Sequence, residues 1–307
     1  KSDIALFFQA SFAHTNEYWR NIIMNNFHQS PQAYVGHVTL NVMDLNRSIP
    51  FYTEMLGFNI LNQTATSVDF TADGSTSLLT INQPAHVTPR PQRTTGMYHF
   101  ALLLPKRSDL ADLLAHFITT GLPYGASDHL VSEALYIADP DGNEIEIYTD
   151  RQADEWTWLE DGVKMTIDPI NGHDLLTLRN PEGWQGLPAK TIMGHIHLYV
   201  SELQATADFY VKGLGFAIAS RYSDQALFLS TGNYHHHIAL NTWMGVGVPT
   251  PPENSTGLDF YTIVYPDATA REIAIQNVIA LGGSVVEKGE NFLTIDPAGN
   301  HILLSLS

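Results

Sequence analysis

Asp139-Pro-Asp-Gly-Asn-Glu-Ile-Glu-Ile-Tyr148 has a near copy at the end of the chain, Asp296-Pro-Ala-Gly-Asn-His-Ile-Leu-Leu-Ser305. The copy keeps the turn residues and loses both carboxylates, so one repeat of a duplicated unit retains a candidate metal-binding acid and the other does not. Other landmarks repeat in the same way. Gly36-His37 returns as Gly194-His195, Phe51-Tyr52 as Phe209-Tyr210 and Leu56-Gly57-Phe58 as Leu214-Gly215-Phe216, each 158 positions on. Thr95-Gly96 and Thr256-Gly257 match at 161, which needs only a few inserted residues. Self-similarity at a fixed offset marks repeated structural units.

Within each copy the pattern is strand, helix and several strands, twice over. In the run His37 to Val42, alternation puts His37, Thr39 and Asn41 on one face and Val38, Leu40 and Val42 on the other. Asp44 to Leu56 predicts a helix with Asp44 as N-cap and Gly57 as its stop, and Pro50 inside it should kink or shorten it. Short strands are expected over 58–63, 67–71 and 77–81. The second unit opens with a strand over 97–104, continues through a helix over 108–120 ended by Gly121, and closes on a strand at 144–148. The expected fold class is therefore α+β, built from four βαβββ modules. The polar face of the leading strands carries His37, His99, and His195 with His197, where a solvated face would more naturally carry Lys, Glu or Thr.

Composition bounds the partners. The 307 residues are 44% apolar, enough for two cores, and 15 Lys and Arg against 32 Asp and Glu give a formal charge of −17. That field argues against nucleic acid and anionic membrane surfaces as partners. No stretch has the apolar length of a membrane span, and Ile4 to Phe8 is too short for the apolar core of a secretory signal. The absence of cysteine removes disulfides and thiolate ligands alike. A cytoplasmic protein is the default expectation.

The repeated Gly-His strand, Phe51-Tyr with Leu56-Gly-Phe, and Asp139-Pro-Asp-Gly-Asn-x-Ile-Glu together resemble the vicinal oxygen chelate superfamily, which includes glyoxalases, bleomycin resistance proteins and extradiol dioxygenases. Tyr98 to Pro105, Asp128 to Tyr136 and Tyr234-His-His-His-Ile238 are similar to its bacterial catechol 2,3-dioxygenase branch. The resemblance implies modules paired into two domains, each a cupped, mostly antiparallel sheet with helices outside. On that basis the chain divides into an N-terminal arm (1–33), a first domain holding the metal site (34–150), a connecting segment (151–191) and a second domain with a degenerate site (192–307).

The resemblance also implies metal ligands on the leading strands of paired modules and on the last strand of the second. Those positions are His37, His99 and Glu146, with Glu144 as the rival carboxylate. Two imidazoles and one carboxylate suit non-haem Fe(II) and O2 chemistry, and manganese or zinc would accept the same ligands. His86, thirteen residues before His99, is the first candidate for the family's acid–base histidine. His129 and Tyr136 are candidates for its other outer histidine and its substrate-binding tyrosine.

The expected activity is Fe(II)-dependent extradiol cleavage of catechol or a substituted catechol by O2. The substrates would be a small aromatic diol and O2, and self-association into a homo-oligomer stays open. A glyoxalase-type isomerase or lyase is the alternative, although the segment Ser77 to Asn82 lacks the extra acid such sites use. A non-catalytic binder of planar molecules is a further one. In the second half, Phe260 stands opposite His99 and Leu303 opposite Glu146, which leaves His195 alone. His195, His197, His235 and His237 could form a histidine-only zinc or nickel site, but a crowded polar patch is the preferred reading.

Overall fold

The computed structural model describes residues 27–307. The expected arm at 1–33 falls outside them up to residue 26. The first module comprises β1 (Tyr34–Asn41), β2 (Asn59–Gln63), β3 (Ser67–Thr71) and β4 (Leu79–Asn82), and the second β5 (Gly96–Leu103), β6 (Gly125–Asp128), β7 (Ser132–Ala138) and β8 (Glu144–Asp150). A connecting segment carries the short pair β9 (Trp158–Leu159) and β10 (Gly162–Val163). The third module has β11 (Ile192–Tyr199), β12 (Ala217–Tyr222), β13 (Ala226–Ser230) and β14 (Ile238–Asn241). The fourth has β15 (Gly257–Tyr265), β16 (Val285–Lys288), β17 (Asn291–Ile295) and β18 (His301–Leu306).

Local signals act as their chemistry dictates. The Asp44 side chain caps its helix by accepting from the Asn46 N–H. Pro50 does not end that helix. It closes the α-helical part (Leu45–Pro50), and the chain runs on as a π-turn over Phe51–Met55, in which the N–H of Leu56 donates to the carbonyl of Phe51. The third module repeats this switch at Leu203–Asp208 and Phe209–Gly213. The helix Arg107–Thr120 ends on Gly121 in the left-handed region, as expected.

The Asp-Pro-x-Gly-Asn turn earns its repetition structurally. Asp139 Oδ1 accepts from the N–H groups of Asp141 and Asn143, and Oδ2 accepts from the buried Tyr52 hydroxyl at 2.8 Å. Asp296 does the same with Ala298, Asn300 and Tyr210. Gly142 and Gly299 take φ of 81° and 87°, where a Cβ would be strained. The turn thus pins the start of the last strand, and with it Glu146 in one copy only.

Each of the two sheets has eight strands, in the orders β16-β17-β18-β15-β1-β4-β3-β2 and β12-β13-β14-β11-β5-β8-β7-β6. This corrects the expected pairing of modules in chain order, with domains at 34–150 and 192–307. The first module joins the fourth through antiparallel β1 and β15, and the second joins the third through antiparallel β5 and β11. The period-2 pattern of a leading strand tells which face is buried, but not which other leading strand lies beside it. Val38 and Leu40 of β1, Phe100 and Leu102 of β5, Ile196 and Leu198 of β11, and Tyr261 and Ile263 of β15 share one core that spans both sheets. The opposite faces of the sheets are left to form two cups.

Candidate metal centre

The cup of the second and third modules gathers the chemistry. Alternation turns His99 on β5, Glu144 and Glu146 on β8, and His195 and His197 on β11 away from the core, and register places them side by side: Ala101 pairs with both His195 and Glu146, and His99 with both His197 and Glu144. Nε2 of His99 lies 3.0 Å from Glu146 Oε2, Nε2 of His195 lies 3.2 Å from the same oxygen, and the two Nε2 atoms are 3.3 Å apart. All three side chains are buried. Among the described residues this is the one group of three or more potential ligands whose donor atoms converge.

The spacing itself fits an ion. Ligand atoms about 2.1 Å from a metal in mutually cis positions stand about 3 Å apart, and three such ligands cover one face and leave the opposite positions open. Protonation states fit as well. Burial holds the His195 imidazole down at about 4, against the pull of Glu146, so it is neutral at neutral pH. Burial alone would push the Glu146 carboxyl up, but His195 and His99 outweigh it and hold the group well below the ordinary carboxylate range. A neutral imidazole and an ionised carboxylate are the forms that bind metal.

Ring packing orients the two imidazoles, whose Nδ1 atoms are buried without a hydrogen-bond partner among the described residues. His99 stands edge-on to His197 at 5.1 Å, and His195 packs on His236 at 4.1 Å and Tyr148 at 4.9 Å. Gly194 precedes His195 because the Tyr148 hydroxyl occupies the space a Cβ would need.

Glu146 opens onto a cavity of about 410 Å³ with walls that are mostly apolar or aromatic, among them Tyr98, Phe228, Trp243 and Met165. Its polar lining includes Glu144, His129, Tyr136, His197 and His236. Nε2 of His129 is 2.6 Å from the Tyr136 hydroxyl, and its Nδ1 donates to the Thr166 carbonyl at 2.7 Å. His129 therefore accepts the Tyr136 proton, and the phenol oxygen keeps its lone pairs for the cavity. Burial first, and Glu146 second, raise the Tyr136 hydroxyl well above 10. Thr166 belongs to the connecting segment, so that segment is a wall of the site. It lies close at Gly162, φ 130°, where a Cβ would strike the backbone of Ala219.

Of the residues expected from sequence, His99, Glu146, His129 and Tyr136 come together here. His37 does not. It lies on β1 in the other sheet, 2.9 Å from the Thr80 hydroxyl, which in turn donates to Asp69. Its place beside His99 is taken by His195, because β11 and not β1 is the neighbour of β5. His86 is likewise elsewhere, on an exposed turn whose carbonyl accepts from Asn254. His236, not expected from sequence, lines the cavity with His129 and His197. Both missed residues left signals: His195 repeats Gly36-His37 at the constant offset, and His236 is the middle member of the histidine run.

The other cup has Thr262 between His37 and Leu303, and Phe260 two residues back, so it keeps one ligand type of three. The histidine-only site does not assemble. His197 accepts from the Asn241 amide, His235 bonds Asp150 and His236, and His237 donates to the Phe27 carbonyl.

The model of the Glyoxalase/Bleomycin resistance protein/Dioxygenase superfamily matches residues 34–147 and 192–271. The chain is 40% identical over 277 residues to a catechol-2,3-dioxygenase of Bacillus subtilis, covering 89% of this chain and 96% of that one. It is 27% identical over 141 residues to biphenyl-2,3-diol 1,2-dioxygenase 3 of Rhodococcus globerulus, covering 44% of this chain and 74% of the relative. Glyoxalase I of Zea mays shares the fold, with a TM-score of 0.55 at 17% identity over 89% of this chain and 92% of that one. With both halves matched and a relative at this identity along nearly its whole length, the chain belongs to the glyoxalase, bleomycin resistance protein and dioxygenase superfamily.

Proposed function

We propose that this protein is an extradiol ring-cleaving dioxygenase that acts on catechol or a substituted catechol with O2, using Fe(II) held by His99, Glu146 and His195. The observation that carries the reading is the facial cluster of two imidazoles and one carboxylate opening onto an aromatic-walled cavity. A divalent iron in that place would supply binding positions for the diol and for O2, and manganese fits the same donors.

The residues around the cluster divide the remaining work. His236 lines the cavity and is held neutral, well below 6.5, first by burial and then by His195 and His235, so it is suited to take a proton from the diol and return it later. Tyr136, its proton committed to His129, accepts from the second hydroxyl. Tyr98, Phe228 and Trp243 bound a slot for a planar ring and keep water from it.

An isomerase reading is disfavoured. The strand that would add a fourth ligand across the cup is β14, Ile-Ala-Leu-Asn, which carries no acid. The test is O2 consumption by anaerobically Fe(II)-loaded protein given catechol and substituted catechols. Uptake matched by a yellow ring-opened product is expected. Stoichiometric metal with no uptake on any catechol would move the assignment to an isomerase or lyase.

A further inference from the structure

We propose that Asp150 and His235 are positioning residues that fix the tautomer of His236, so that its Nε2 meets the cavity as a bare lone pair. The proposal rests on the reading of His236 as the proton acceptor. Its basis is a buried chain of hydrogen bonds running away from the metal cluster.

The chain can be followed atom by atom. Asp150 Oδ1 is 2.8 Å from Nε2 of His235. The other oxygen accepts from the Tyr234 hydroxyl at 3.0 Å, and that hydroxyl lies 2.6 Å from Tyr148. With both oxygens used as acceptors, the carboxylate must receive a proton from His235, which puts the His235 hydrogen on Nε2. The bare Nδ1 of His235 is 2.7 Å from Nδ1 of His236. Two lone pairs cannot face each other at that distance, so His236 donates from Nδ1. Its remaining nitrogen, Nε2, is then unprotonated in the neutral ring and is the one left to the cavity that His236 lines.

Burial makes the arrangement definite. His235 is fully buried and has no room to turn its ring toward water. Asp150, at the outer end, is 22% exposed and lines a second cavity of about 610 Å³, so its charge is partly met by solvent. A carboxylate, a buried histidine and a histidine at the site thus act in series, the first two without touching substrate.

The rival arrangement is a doubly protonated His235, which would donate to His236 and leave the His236 proton on Nε2. Long-range 1H–15N correlation on metal-free protein labelled with 15N-histidine separates the two, with His236 assigned by its loss in His236→Gln. The expected result is the Nδ1–H tautomer for His236 in the native chain. It should become mixed in Asp150→Asn, where one acceptor oxygen serves two donors, and in His235→Phe. In Fe(II)-loaded protein, Asp150→Asn should lower kcat at least tenfold with the KM for catechol and the metal content unchanged. An Nε2–H tautomer in the native protein, or an unaltered one in Asp150→Asn, overturns the proposal, and Asp150→Asn suffices if His235→Phe does not fold. The tautomer is read without iron or O2, so it stands or falls separately from the ring-cleavage assay.

Discussion

His236 and Tyr136 stand at the cavity on different modules, and each has its outer bonding partner fixed by a neighbouring histidine. Replacing His236 with Ala should therefore lower turnover by about 10²–10⁴-fold, the usual contribution of a positioned acid–base group, while metal content stays at one per chain. Steady-state kinetics beside metal analysis checks this; loss of metal with the activity would mean that His236 is structural. Tyr136→Phe keeps the ring and removes the acceptor oxygen. It should cost less, about tenfold to a hundredfold, because burying a substrate hydroxyl without its acceptor costs about 1–3 kcal/mol.

Among elements, the leading strands decide the site. The modules and their internal order were legible in the sequence, because alternation, the repeated turn and the helix caps are local, and the family resemblance pointed to His99, Glu146, His129 and Tyr136, which the fold brings to one cup. Partner choice between leading strands was not. His37 and His195 sit in equivalent contexts, each after glycine on an alternating strand, and only the pairing of β5 with β11 selects the second. His86 lies on an exposed turn away from the cavity, to which the third module instead brings His236. The excised segment 34–150 is accordingly expected to bind no Fe(II) comparably to the whole chain, which equilibrium dialysis would show; full affinity in the fragment would contradict the pairing. The connecting segment is a second test at this scale. Gly162→Ala adds a Cβ at φ 130° against Ala219, a strain of about 1–3 kcal/mol. It should displace Met165 and Thr166 and raise KM for the diol more than it changes kcat.

Across the whole molecule, two sheets share one core and bury many histidines, which sets the pH range of stability. Burial lowers His28 to about 4, against the pull of the Gly194 carbonyl and Asp150, and lowers His37 to about 4, against that of Asp69. The unfolded chain binds protons at these sites near 6.5 and the folded chain does not, so stability falls as pH drops from 6.5 toward 4. By pH 5 each contributes a loss of about 1.5 kcal/mol, which urea melts at pH 7 and pH 5 would detect, and His37→Gln should flatten the slope. Among the described residues no helix is long and apolar enough to cross a membrane. The proposed metal site is assembled from two modules that are not in the same half of the sequence. The most direct test is Fe(II) stoichiometry on the whole chain with His195→Ala and, separately, His37→Ala. One iron per chain in His37→Ala and none in His195→Ala is the predicted result; metal retained without His195 and lost without His37 would contradict it.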